Sequence, residues 1–182
     1  MDGDQGGPLK AALTLRLLTG HPVQMAALQC VLEATPGYFQ SVTGRPPGQA
    51  EAQSLFSALP SDKGYADKFL WGFYCDEALI GCADVIRGYP VPEKAVIGLL
   101  LLAEAWQRRG LGRAFALLLE QAIAAWPEIT TLRIGVVKTN TGAHLFWRGL
   151  GFAETGEVKQ GGPEWVSDVR VLEKPLQRAS ST

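Results

Sequence analysis

Gln107-Arg108-Arg109-Gly110-Leu111-Gly112-Arg113 puts three guanidinium groups and two glycines within one short segment. That combination suits an anion. Arginines supply charge-assisted, fork-shaped donors, and glycines let a bulky group approach the backbone with no Cβ in the way. An apolar run, Val96-Ile97-Gly98-Leu99-Leu100-Leu101-Leu102, precedes the segment, and an amphipathic stretch follows it to Trp126-Pro127. Strand, basic glycine loop and helix in that order place the loop at a helix N-terminus, where N–H groups lack intrahelical partners and the dipole end is positive. The segment is expected to hold a pyrophosphate-bearing ligand. Phe115 stands where GxGxxG needs its last glycine, and no GxxxxGK[ST] loop exists, which argues against a nicotinamide dinucleotide or a nucleoside triphosphate.

Elements that position this loop are readable from pattern. Leu13 to Leu17 alternates as a strand, and apolar positions from Val23 to Ala34 recur at helical spacing up to Pro36-Gly37. The breaker cluster 43–48 leads to a helix over 49–59. Phe69–Cys75 and Leu79–Arg87 form a hairpin about Asp76-Glu77, and Gly88–Pro92 turns the chain into a strand over 95–102. A helix over 110–126 places Leu111, Ala114/Phe115, Leu118, Ala122 and Trp126 on one face. A strand over 132–137, a helix over 141–150 and strands over 152–158 and 165–172 complete one mixed α/β domain.

Composition narrows the class. The 182 residues are 47% hydrophobic and 19% charged, enough for a single domain with a sizeable core. Seventeen basic and eighteen acidic residues nearly cancel, so no global field draws the chain to nucleic acid or to a membrane. Cys30, Cys75 and Cys82 show no CxxC spacing and read as reduced thiols rather than a disulfide framework or a metal site. The N-terminus, Met1 to Gln5, lacks the apolar stretch of a signal peptide, and the apolar run 95–103 is far short of the ~20 residues of a membrane span. A cytoplasmic location is the expectation. His21 reads as a helix-start residue and His144 as an exposed helix position.

Two blocks together resemble the GNAT N-acetyltransferase superfamily. Its motif Q/R-x-x-G-x-G/A after an apolar strand is similar to Gln107-x-x-Gly110-x-Gly112. Its next motif, a strand, an Asn and a helix ending in Gly-Phe, is matched by Leu132–Val137, Asn140, Ala143, Phe146-Trp147 and Leu150-Gly151-Phe152. The resemblance covers 95–152, with the segments of 13–93 agreeing in order. One domain over 9–176 is expected, with flexible ends at 1–8 and 177–182, which are Gly- or Ser-rich. The implied fold is α/β (α+β): a mixed, mostly antiparallel central sheet of about six to seven strands, splayed between the fourth and fifth and flanked by helices.

The resemblance also implies a reaction, transfer of an acetyl group from acetyl-CoA to a primary amine by direct attack in a ternary complex. A small-molecule amine is the expected acceptor. A protein N-terminus or lysine, or a non-catalytic acyl-CoA sensor, are the rival readings. Pyrophosphate would sit on N–H groups from Arg108 through Gly110, Leu111 and Gly112 to Arg113, with Arg108, Arg109 and Arg113 as charge partners and Gln107 as a further donor. The pantetheine arm would pair with backbone at Leu100 and Leu102, touch Asn140 and pack beside Phe146. Asn140 is equally suited to capping its helix, and Phe146 to core packing. Leu100 N–H is the expected oxyanion donor. Asp84, inside the apolar strand 80–86, is the first candidate for general base, ahead of Glu33 and Glu104; its alternative is a solvent-facing strand residue. Trp147 stands where many members have an acidic tyrosine, and an indole N–H cannot usefully give up its proton. Tyr38, Arg87 and Tyr89 lie where members build the acceptor side; many members form dimers, which leaves room for a homodimer here.

Overall fold

A computed structural model describes residues 12–163 and 165–177. The expected flexible ends therefore lie outside the described residues, apart from Gln177. Seven strands form one sheet in the order β1-β2-β3-β4-β5-β7-β6. They are β1 (Leu13–Leu17), β2 (Lys68–Cys75), β3 (Ala78–Arg87), β4 (Lys94–Leu102), β5 (Thr131–Val137), β6 (Ala153–Lys159) and β7 (Val169–Pro175). Every pairing is antiparallel except β4 with β5. Helices α1 (Pro22–Glu33), α2 (Pro36–Val42), α3 (Glu51–Ser57), α4 (Leu111–Ala124) and α5 (Thr141–Gly149) flank it.

Alternation along the strands builds two cores. Phe73, Ala83, Val85, Ile97, Leu132 and Ile134 meet α4 and α5 on one face, where Phe73 stacks on Phe115 with ring centroids 4.4 Å apart. Leu70, Cys82, Leu99 and Leu101 meet Leu28 and Leu32 of α1 and Phe39 of α2 on the other. The buried stripe of α4 is Phe115, Ala116, Leu119 and Ile123. It is rotated from the expected face because Leu111, Leu118 and Trp126 sit at the margin of the core rather than its centre.

Three expectations shift. Pro36-Gly37, expected only to end a helix, opens α2, since proline at the first helical position lacks an N–H that would be unpaired anyway. The helix of 49–59 is trimmed to α3. The strand expected over 165–172 starts at Val169, because the preceding residues turn: Trp165 N–H donates to Gly162 O, Val166 N–H to Val42 O, and Gly161 N–H to Asp168 Oδ1.

The feature that opens the site is a β-bulge. Asp84 faces Leu99 and Val85 faces Ile97, so Gly98 is the extra residue of β4. Pairing of β4 with β5 runs from Lys94↔Thr131 only to Ile97↔Ile134, one residue before that glycine. A bulge bends its strand and increases its twist. Beyond Gly98 the two strands part.

Below the parting, charge holds the strands together. Glu173 Oε1 on β7 accepts from Lys94 Nζ at 2.6 Å and from Arg133 Nη1 at 2.7 Å, while Arg133 Nη2 reaches Glu157 Oε2 on β6 at 2.6 Å. Burial alone would raise the Glu173 carboxyl, but hydrogen bonds from Lys94 and Arg133 outweigh it and hold the group below the ordinary value of 4.5. A depressed carboxyl contributes stability above its unfolded-state pKa and loses it as pH falls through the folded one. Glu173→Gln is therefore expected to cost about 2 kcal/mol near pH 7, by leaving the buried Arg133 half-paired. In chemical denaturation, the gap between variant and parent should narrow as pH falls below about 4.5. A gap that is constant from pH 7 to pH 3 excludes the ion pair as its source.

Candidate active site

Peptide groups of a strand alternate in direction, so one edge of β4 must face the opening. Ala103 N–H donates to Ile80 O on β3 at 2.9 Å. Leu100 and Leu102, out of phase with Ala103, turn their peptide groups the other way, to where β5 has departed. Leu102 O accepts from Gln107 Nε2 at 2.7 Å. That bond engages the side-chain amide expected to serve the ligand, and it ties the glycine loop to the end of the strand.

Helix α4 starts beside this edge with Gly110 as its N-cap at φ +77°, and no side chain caps its first N–H groups. Arg108 holds the left-handed conformation at φ +57°. The uncapped end and the open strand edge line one groove of about 630 Å³. Leu100, Leu102, Arg108, Gly110 and Arg113 form one wall and Asn140, Phe146 and Trp147 the other. Donors at one end and exposed strand backbone along the side fit a diphosphate carrying an amide-containing arm.

The three arginines divide. Arg108 lines the groove; Arg113 lines it and donates from Nη1 to Gly149 O at 3.1 Å; Arg109 stacks its guanidinium over Trp106, 5.6 Å from the ring centroid. Leu111 packs its side chain against the core and brings only its N–H to the helix start. Asn140 Oδ1 caps α5 by accepting from Ala143 N–H at 3.0 Å, and the same residue lines the groove. Gly112 leaves room for Phe146, whose ring would lie 3.4 Å from a Cβ placed there.

A smaller cavity of about 260 Å³ lies across the parting, bounded by α2, α5 and the strands β4, β5, β6 and β7. Tyr38, Leu100, Asn140, Ala143 and Trp147 line both spaces, so the two join at the parted strands. Tyr89 lines the small cavity. Arg87 does not: its guanidinium bonds Asp67 Oδ1 and Ala66 O at 3.2 Å and lies over the rings of Phe69 and Trp126. Burial pushes the Tyr38 hydroxyl up to about 12. Trp147 is packed edge-on between Phe146 and Phe152, with centroids 5.1 and 5.0 Å away.

The acid candidates also separate. Asp84 is buried rather than solvent-facing, with Oδ1 on Lys68 Nζ at 2.8 Å. It lies behind the cavity wall: Oδ2 would be 3.4 Å from a Cβ on Gly98, which is a lining residue. Burial raises its pKa above the usual carboxylate range against the pull of Lys68. Glu33 is exposed and accepts from Gln29 Nε2. Glu104 is a brace: its Oε1 accepts from Gly37 N–H at 2.9 Å and its own N–H donates to Ala34 O at 3.0 Å, docking α2 onto the glycine loop. His21 Nδ1 caps α1, as expected of a helix-start residue, whereas His144 is not simply exposed but bonds Glu154 Oε1 at 2.8 Å. Lys159 and Trp165, unremarked in the sequence, line the small cavity. Gly98 carried a signal, a lone glycine inside an apolar strand, which often marks a bulge.

The Acetyltransferase (GNAT) family matches residues 37–152, more than half of the chain. The chain belongs to that family. This acetyltransferase uses acetyl-CoA as its acyl donor. No curated protein sequence matches it. Its fold is similar to an acetyltransferase from Thermus thermophilus, at 29% identity and TM-score 0.71 over 91% of this chain and 99% of that one. It is similar also to a spermidine N-acetyltransferase from Vibrio cholerae in complex with CoA and spermine (17% identity, TM-score 0.67, 90% and 95% covered). A ribosomal-protein-alanine N-acetyltransferase from Escherichia coli shares 17% identity and TM-score 0.62 over 93% and 97%. Among the described residues no helix is long and apolar enough to cross a membrane.

Arg108 combines a groove-facing charge with a left-handed backbone that favours glycine. Arg108→Gly is expected to weaken CoA binding about tenfold by calorimetry while the melting temperature holds or rises. Arg109→Ala should change affinity less than threefold. Equal losses from the two variants refute the division of the arginines.

Proposed function

We propose that this acetyltransferase acetylates the primary amine of a small molecule, with both substrates bound together. The observation that carries the reading is the cavity of about 260 Å³ joined to the donor groove at Leu100, small beside the usual range for ligand sites. The donor supplies an acyl group already activated as a thioester. The protein then has to align it, meet charge on the acyl oxygen and take a proton from the amine.

The uncapped start of α4, Arg108 and Arg113 bind the diphosphate, and the backbone of Leu100 and Leu102 aligns the arm. Leu100 N–H, turned into the parting, is the donor to the acyl oxygen. An alkylamine with pKa ~10.4 arrives protonated. Asp84 is the base: burial raises its proton affinity, and because its Oδ2 lies behind Gly98 of the cavity wall the proton reaches it through one intervening water. Tyr38 and Tyr89 line the acceptor space. Arg87 holds the β3 end and takes no part in acceptor binding.

A thiol-release assay with acetyl-CoA, run over small amines and over peptides with free N-termini, tests the reading. Turnover of small amines with kcat/KM at least a hundredfold above any peptide is expected. Release only with peptides, or CoA binding with no release at all, overturns it in favour of a protein acetyltransferase or a sensor. Asp84→Asn combined with Lys68→Gln, which avoids an unpaired buried ammonium, should lower kcat by about 10²-fold or more and abolish the acid limb of the pH–rate profile. A variant-to-parent rate ratio independent of pH excludes Asp84 as base.

A further inference from the structure

The charge on the wall of the small cavity is one-sided. Arg133 and Lys159 are its ionised lining residues among those described, and no described carboxylate joins them. Arg133 is neutralised within its network, since Arg133 and Lys94 are matched by Glu157 and Glu173. Lys159 is not: among the described residues its ammonium makes no ion pair within 4 Å, acting only at longer range on Glu157. The neighbouring pair of Lys138 and Asp168 is balanced in itself. One positive charge with no ion-pair partner among the described residues therefore borders the space where the acceptor is proposed to bind.

Its position is set by register. Lys159 on β6 is opposite Val169 on β7, which is opposite Val137 on β5, so Lys159 stands two strand spacings, about 10 Å, from the parted edge. Between them the side chain of Val169 fills the space over Gly135, its Cγ1 2.8 Å from where a Cβ would stand, and both residues line the cavity.

We infer that the acceptor is an amine carrying a carboxylate, an amino acid in the broad sense, with the carboxylate on Lys159 and the amine toward Leu100. This rests on the small-amine reading and names its substrate class. A polyamine is excluded by the same field, because a second cation would face Lys159 with no carboxylate to receive it.

The test compares matched acceptors in the thiol-release assay: phenylalanine against phenylethylamine, 4-aminobutyrate against butylamine, and spermidine. The acids should exceed their decarboxylated partners in kcat/KM by tenfold or more, with spermidine last. Lys159→Gln should erase about tenfold of that preference through KM, and Lys159→Glu should reverse it; the side chain is exposed, so both variants are expected to fold. Equal or better use of the amines without a carboxylate, or a preference unchanged in both variants, overturns the inference while small-amine acetylation stands. Release of CoA with peptides alone overturns both.

Discussion

An unpaired strand edge inside a protein is costly, because each buried N–H and C=O needs a partner. At Gly98 this sheet accepts that cost. The bulge turns β4 away from β5 one residue after their last pair, and the strand edge at Leu100 is left facing a gap, while Gln107 takes the carbonyl of Leu102. In the proposed function a ligand with amide groups of its own completes the sheet there, and a small acceptor reaches the same point from the other side. Groove, cavity and their junction at Leu100 all follow from one extra residue in one strand.

A gap of that kind closes unless something holds its rim. The glycine loop is held to β4 by Gln107 on Leu102 O, and to α2 by Glu104, which takes the Gly37 N–H and gives its own to Ala34 O. The far rim is held by Asn140, which starts α5 by capping it and so turns Phe146 and Trp147 toward the groove. Below the parting the buried Arg133 and its two carboxylates lock β5 to β7 and β6. The rim is thus framed by polar contacts, some local and some long-range, in front of apolar cores that meet it from both faces of the sheet.

The sheet, its helices and the basic glycine loop between strand and helix were largely legible because their signals are local. Period-two and helical patterns mark the strands and helices, and Gln107 to Arg113 is one contiguous segment between a strand and a helix. What escaped depends on contacts far apart in sequence. Whether Pro36 ends one helix or begins another is decided by Glu104, sixty-seven residues on in contact with Gly37. Arg87 looked available beside Tyr89, yet Asp67 and the rings of Phe69 and Trp126 claim it. Lys159 belongs to a strand with every residue exposed and gives no local hint that it borders a cavity.

Trp147 shows how the site manages without the residue many relatives have there. A thiol of pKa ~8.5 leaves as thiolate at pH 7 for only about 2 kcal/mol, so a proton donor is an aid and not a requirement. Tyr38, whose hydroxyl burial raises to about 12, is a weaker acid than that thiol and is ill-suited as a proton source. Burial also destabilises the ionised form of Asp84, even with Lys68 alongside, which suits the role of base proposed for it. Burial thus makes Tyr38 a poorer acid and makes Asp84, in its proposed role, a stronger base. That is the balance a reaction needs when its leaving group departs readily but its nucleophile arrives with a proton to lose.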